Sequence, residues 1–199
     1  MTETVIGLLR HGQTDWNIDF RLQGVTDVPL NETGMRQARL AATAIRSEDW
    51  DYVLTSPLSR AKETARIIVE LSGLPEPQIE HLLLERSFGE AEGLRHEEWR
   101  ANYPDTNNVP GAETLETLEE RAWRLLDHLA ANYAGRRVLT VSHGALIRKL
   151  LGMVSQGEFP RDGERLSNAS MSIFTHGPDG WRIADYSPGE LVPLDTTVI

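Results

Sequence analysis

Short apolar runs alternate with longer amphipathic stretches along this chain. The first run, Val5-Ile6-Gly7-Leu8-Leu9, ends at Arg10-His11-Gly12 and predicts a buried strand with polar residues at its C-terminal end. Residues 12–30 show no periodicity and contain Gly12, Gly24 and Pro29, so a long loop is expected, of the kind that often carries function. From Thr33 to about Ser47, Ala38, Ala41, Ala42 and Ile45 recur at helical spacing. Tyr52 to Thr55 predicts a second strand. Ser56 then reads as an N-cap with Pro57 at the first helical position, opening a helix whose apolar stripe is Leu58, Ala61, Ala65 and Ile68. Gly73 and Pro75 end it.

Residues 78–84 predict a third short strand, followed by a Glu- and Gly-rich segment from Glu85 to Gly93 and a short helix over 95–102. A long helix is expected over 113–134, with Leu115, Leu118, Ala122, Leu125, Leu126, Leu129 and Tyr133 on one face and Gly135 closing it. Arg137 to Val141 predicts the fourth strand, which runs into Ser142-His143-Gly144 and a helix ending at Gly152. Two last strands, 169–175 and 181–186, flank a turn at Gly177-Pro178-Asp179-Gly180. Strands alternating with helices predict an α/β fold, a single-domain three-layer α/β/α sandwich whose mostly parallel sheet gains an antiparallel edge strand from the last hairpin. The domain is expected to span 1–187, with a loose C-terminal tail over 188–199.

Composition narrows the function. The chain's 199 residues suit one domain with a sizeable core. It has no apolar run near the length of a membrane span and no basic segment before an apolar stretch at its start, so neither a membrane nor a secretory signal is expected. A cytoplasmic location is the default. With no cysteine there is no disulfide framework, thiolate nucleophile or Cys-ligated metal. The net charge of −10 argues against nucleic acid as a partner, and equally obliges any site for a phosphorylated small molecule to gather positive charge locally.

In open α/β sheets, ligands bind outside the C-terminal ends of the strands. Four predicted strand ends offer polar groups there: Arg10-His11-Gly12, Ser56 with Arg60 beyond it, Glu85, and His143-Gly144. Two His, two Arg and one Glu converging on one pocket make chemical sense for phosphoryl transfer. Arg presents a planar fork that matches phosphate oxygens, and neutral imidazole is a competent nucleophile. Flanking arginines disfavour the protonated form of His11. A carboxyl can protonate a poor alkoxide leaving group. No metal or other cofactor is required by this logic.

Leu9-Arg10-His11-Gly12 resembles the signature of the histidine phosphatase superfamily, which includes the cofactor-dependent phosphoglycerate mutases. The resemblance continues through Gln13-Thr14, Trp16-Asn17, Gln23-Gly24, Asp27, Leu30, Gly34 and Ala38. It resumes in Thr55-Ser56-Pro57-Leu58-Ser59-Arg60-Ala61 with Thr64-Ala65, in Leu83, Glu85, Gly89 and Glu92-Gly93, and in Val141-Ser142-His143-Gly144, covering about residues 4–187 in order. It implies His11 as the phosphohistidine; Arg10, Arg60 and His143 as holding the transferred group; and Glu85 as acid and then base. Asn17 would contact phosphoryl oxygens, Gln23 and the Gly24 backbone would line the substrate side, and the Gly144 N–H would join the phosphate cradle. Glu90 and Glu92 compete with Glu85, which the family spacing selects. Glu113 reads as structural. Arg21, Arg86 and Lys149 are candidates for the substrate's far end or for plain surface roles, whereas His81, His96, His128 and His176 have no such context and receive no role.

Three functions fit: hydrolysis of a small phosphate monoester, phosphoglycerate mutase activity, and non-catalytic binding of a phosphorylated ligand. The last ranks lowest because both His11 and Glu85 are present. Mutases of this family usually carry an insertion with paired arginines after the acid motif, whereas here the chain reads Leu94-Arg95-His96-Glu97-Glu98-Trp99-Arg100. That departure favours the phosphatase. A small phosphorylated substrate is the expected partner, and a homodimer is compatible with the sequence.

Overall fold

The computed structural model describes residues 3–105 and 107–191. One six-stranded sheet organises the chain. Its strands are β1 (Thr4–Arg10), β2 (Tyr52–Thr55), β3 (Gln78–Ile79), β4 (Arg137–Ser142), β5 (Met171–Gly177) and β6 (Gly180–Asp185), in the order β3-β2-β4-β1-β5-β6. β3, β2, β4 and β1 are mutually parallel, and the β5–β6 hairpin joins through an antiparallel β1–β5 pairing. The antiparallel contribution is therefore a pair of strands, with β6 at the edge.

Alternation along the strands sends residues to two cores, as a pleated strand must. Ile6, Leu8 and Val138 pack on one face against α5 (Leu115–Asn132) and α6 (Gly144–Val154) through Leu118, Leu125, Leu129, Leu146 and Leu150. Leu9, Leu139 and Val141 pack on the other against α2 (Glu32–Ala44) and α3 (Ser59–Ser72) through Ala41, Ala42, Ala61, Ala65 and Ile68. The result is the expected α/β/α sandwich. Small α2 and α3 residues let those two helices lie close together on the sheet. Among the described residues no helix is long and apolar enough to cross a membrane.

Several local expectations are corrected. Ser56 does not cap α3, which starts at Ser59 after Leu58 with no side-chain cap, because the Ser56 hydroxyl faces His143 instead. The third strand stops at Ile79; His81–Leu83 forms a 3₁₀ turn that buries Leu83 completely. The loop over 12–30 contains one helical turn, α1 (Asp15–Ile18), closed by a capping box of Thr14 and Asn17. α2 begins after the Asn31 cap and ends at Ala44, and α5 begins after the Thr114 cap. The short helix α4 (His96–Asn102) matches its prediction. Of the expected tail, Pro188 and Leu191 are hydrogen-bonded to Ser167 and Ala169, and 192–199 lie outside the described residues.

Candidate active site

The parallel register places the ends of β1, β2 and β4 on one edge of the sheet, pairing Arg10 with Ser142 and Thr55 with Val141. His11 and His143, each one residue beyond its strand, consequently face each other with ring centroids 5.1 Å apart. His11 is 2% exposed, and its Nδ1 lies 2.6 Å from the Gly12 carbonyl oxygen. A carbonyl only accepts, so this geometry assigns the proton to Nδ1 and leaves a lone pair on Nε2. Burial pushes the His11 pKa well below 6.5, and the charges of Arg60 and Arg10 push it the same way, against a smaller opposing effect of the Gly12 bond. The His11 backbone is pinned too: its N–H donates to Ser142 O at 2.9 Å and its carbonyl accepts from Asn168 Nδ2 at 3.1 Å.

Arg60 is fully buried in the first turn of α3. It donates through Nη2 to Gly24 O at 2.6 Å, through Nη1 to Thr26 O at 2.9 Å and through Nε to His143 Nδ1 at 3.2 Å. Because Nδ1 accepts, the proton of neutral His143 lies on Nε2, 2.7 Å from Ser56 Oγ. Burial, followed by the neighbouring His11, Arg60 and Arg10, holds the His143 pKa well below 6.5. Both His143 nitrogens thus have protein partners, and contact with a phosphoryl group requires one of them to be exchanged. Arg10 differs. Its Nη1 donates to Leu166 O, but its Nε is buried without a hydrogen-bond partner among the described residues. A Cβ on Gly144 would stand 3.4 Å from that nitrogen, so the glycine leaves the guanidinium edge uncovered. Burial lowers the Arg10 pKa to about 10, with Glu85 opposing and Arg60 and Arg148 adding to the shift.

Glu85 is 9% exposed and meets the start of α6. Its carboxylate accepts from the N–H groups of Arg86 at 2.9 Å, Ala145 at 3.1 Å and Leu146 at 3.1 Å. Arg121 braces this segment by donating to the carbonyls of Leu82, Leu84 and Glu85, while Glu113 clamps the same guanidinium at 2.7 and 2.8 Å. Glu113 is structural, as expected. The rival carboxylates are otherwise engaged. Glu90 is exposed beside Tyr103, and Glu92 binds the N–H groups of Val25, Thr26 and Phe88 and the Thr26 hydroxyl.

Asn17 lines the cavity that opens beside Arg10 and Gly144. Its Oδ1 takes donors from Thr14 and Asn168, leaving its amide NH₂ to offer a ligand. Gln23 and Gly24, expected to line the substrate side, are not part of that cavity's wall, and both are engaged by neighbouring groups. Buried Gln23 faces the Thr14 hydroxyl at 3.0 Å, and Gly24 turns its carbonyl to Arg60. Gly24 has φ +53°, and a Cβ there would fall 2.0 Å from Glu92 Oε1, so both conformation and space demand glycine.

The cavity holds about 930 Å³ and is walled by Trp16, Phe20, Arg21, Arg95, Arg148 and Arg165 among others. Of the three far-end candidates, Arg21 reaches this wall, whereas Arg86 bonds the Glu113 carbonyl and Lys149 pairs with Glu119 at 3.0 Å. Sequence reasoning missed Asn168, Arg148 and Arg165 and gave Ser56 the wrong task. Arg148 carried a usable signal, since it lies one helical turn after Gly144; Arg165 and Asn168 sit in an aperiodic stretch and carried none. Among the described residues no group of three or more His, Asp or Glu could hold a metal ion.

The chain matches the model of the histidine phosphatase superfamily (branch 1) over residues 6–187. It is 44% identical over 184 residues to a Bacillus subtilis protein called uncharacterized phosphatase PhoE, covering 92% of this chain and 94% of that one. A Photorhabdus laumondii protein called probable phosphoglycerate mutase GpmB is 34% identical over 209 residues, with 96% and 95% covered. A solved mycobacterial glucosyl-3-phosphoglycerate phosphatase superposes with a TM-score of 0.78 at 27% identity, covering 92% of this chain and 98% of the other.

Proposed function

This chain belongs to the histidine phosphatase superfamily, and within it we propose that the protein hydrolyses a small phosphate monoester through a phosphohistidine on His11, without a metal. The observation that carries the reading is the state of His11: buried, neutral, with Nδ1 tied to Gly12 and the Nε2 lone pair free beside two arginines. Arg10, with its unpartnered Nε, and the uncommitted N–H groups of Arg60 bind the phosphoryl oxygens. The amide of Asn17 and the Gly144 N–H at the start of α6 add donors. His11 Nε2 forms a bond to phosphorus as the ester P–O bond breaks, and Glu85 passes its proton to the departing oxygen. Water then attacks phosphorus, the P–N bond breaks, Glu85 takes back a proton and phosphate leaves.

Hydrolysis is favoured over isomerisation by the passage from Gly93 straight into α4, with no arginine-paired insertion to shield a phosphohistidine. The names of the relatives divide between the two activities, so the test must separate them. Rapid quenching with a ³²P-labelled ester should trap label on His11, His11→Ala should abolish turnover, and phosphate should appear as fast as ester disappears, before and after prolonged chelation. Label on another residue type sinks the mechanism. Efficient interconversion of 3- and 2-phosphoglycerate without matching phosphate release makes the mutase reading correct.

A further inference from the structure

The strand end that carries the nucleophile is gripped by a short segment preceding β5. The Arg10 N–H donates to Ser170 O at 2.9 Å, and the Ala169 N–H is shared between Arg10 O at 3.1 Å and His11 O at 3.3 Å. Ala169 is fully buried and holds φ +55°. A left-handed conformation costs a residue with a Cβ stability, and it persists only where the surroundings over-determine it. The bonds on either side of Ala169 do so, and the turn brings Asn168 against the end of β1. Asn168 Nδ2 donates to His11 O at 3.1 Å and to Asn17 Oδ1 at 3.2 Å.

Backbone groups fix the orientation of both amides. The His11 carbonyl only accepts, so it must face the Asn168 nitrogen. The Thr14 N–H only donates, so at 3.0 Å it must face the Asn17 oxygen. The two protons of Asn168 Nδ2 are then committed, one to the nucleophile's own carbonyl and one to the residue whose NH₂ is left for a ligand in the cavity that Asn17 and Asn168 both line. Thr14 sets which way the Asn17 amide points. Asn168 adds the spacing, because a single nitrogen holds His11 and Asn17 at once. We propose, on the footing of the hydrolase reading, that Asn168 is a positioning residue for phosphoryl transfer, a strut that sets the distance between His11 and the Asn17 amide. Misplacing a reacting group by about 1 Å costs up to about 10²-fold in rate, so a strut at this point has a large effect on the reaction.

A double-mutant cycle on binding tests the strut apart from the chemistry. Phenylphosphonate, which cannot be hydrolysed, is titrated by calorimetry into the full-length parent, Asn17→Ala, Asn168→Ala and the double variant. Each single substitution should weaken binding about tenfold, the worth of a hydrogen bond to an anionic oxygen. The double variant should bind no more weakly than Asn17→Ala, because without the Asn17 amide the spacing no longer matters. Asn168→Asp, which sets a carboxylate against two acceptors, should bind at least as weakly as Asn168→Ala. Urea unfolding of the same proteins reports any lost stability, which a merely structural role would carry undiminished into the Asn17→Ala background. Losses that multiply to about a hundredfold in the double variant overturn the strut, as does parent-like binding by Asn168→Ala. Should Asn168→Ala fail to fold, Asn168→Ser, which keeps one donor, carries the same cycle. Phenyl phosphate hydrolysis by the parent reports separately on the catalytic reading: multiplying losses with hydrolysis present refute only the strut, and coupled losses with no hydrolysis refute only the hydrolase.

Discussion

Two neutral histidines buried side by side should make the fold acid-sensitive in a calculable way. Burial and the surrounding cations hold both His11 and His143 well below 6.5 in the native state, whereas the unfolded chain takes up a proton on each near 6.5. The unfolded state therefore binds more protons, and stability falls as the pH falls. The contribution is fully present above 6.5 and is lost progressively as pH drops from there toward the native values. Over any range below 6.5 in which the native imidazole stays neutral, each histidine costs about 1.4 kcal/mol of stability per pH unit of descent. Against a typical domain stability of about 5–15 kcal/mol, that is a large fraction. Urea unfolding followed by tryptophan fluorescence at about pH 7, 6 and 5, in the parent and in His11→Gln and His143→Gln, measures it directly. Gln does not titrate, so each variant should lose less stability than the parent as the pH falls across this range, by at most about 1.4 kcal/mol per pH unit. Identical pH dependence in parent and variants refutes the reasoning, as does an imidazole NMR titration of native His11 near 6.5.

Glu92 should act on the reaction through Arg60, because it holds the loop whose Gly24 and Thr26 carbonyls receive that guanidinium. Glu92→Ala, which strips acceptors from Val25, Thr26 and Phe88, should cost about 2–4 kcal/mol in urea unfolding and raise KM for phosphate esters, with Glu92→Gln recovering part of both; unchanged KM with lost stability would reduce Glu92 to a loop brace. Glu85→Gln should slow hydrolysis of an alkyl phosphate far more than that of an activated aryl phosphate, about 10²-fold or more against little change, since only the poor leaving group needs its proton. Equal losses on both esters in steady-state assays would move the acid role elsewhere.

Local pattern by itself determined the strands β1, β2 and β4, because a strand buried on both faces must be apolar throughout and those runs are short and sharply bounded. It also determined that His11 and His143 stand at strand ends, and hence that parallel pairing would bring them together with Arg10, Arg60 and Glu85. Helices α2, α4 and α5 were legible to within a few residues, since their periodicity is strong and only their caps were ambiguous. The start of α3 was misread because Ser56-Pro57 satisfies every local rule for a helix start. The competing use of that hydroxyl, on a histidine 87 residues away, has no local signature. The bonds that tie Gln23 and Gly24 to Thr14 and Arg60 have no local signature either, because these partners converge only after the loop has folded over α3. Asn168 and Arg165 reach the site from a stretch without periodicity, through contacts with His11, Asn17 and Phe20 about 150 residues apart in sequence. Secondary structure is written in short-range spacing, which one chain displays directly. Which hydrogen-bond donor meets which acceptor across the sheet edge depends on the whole packing, and only the tertiary structure decided it.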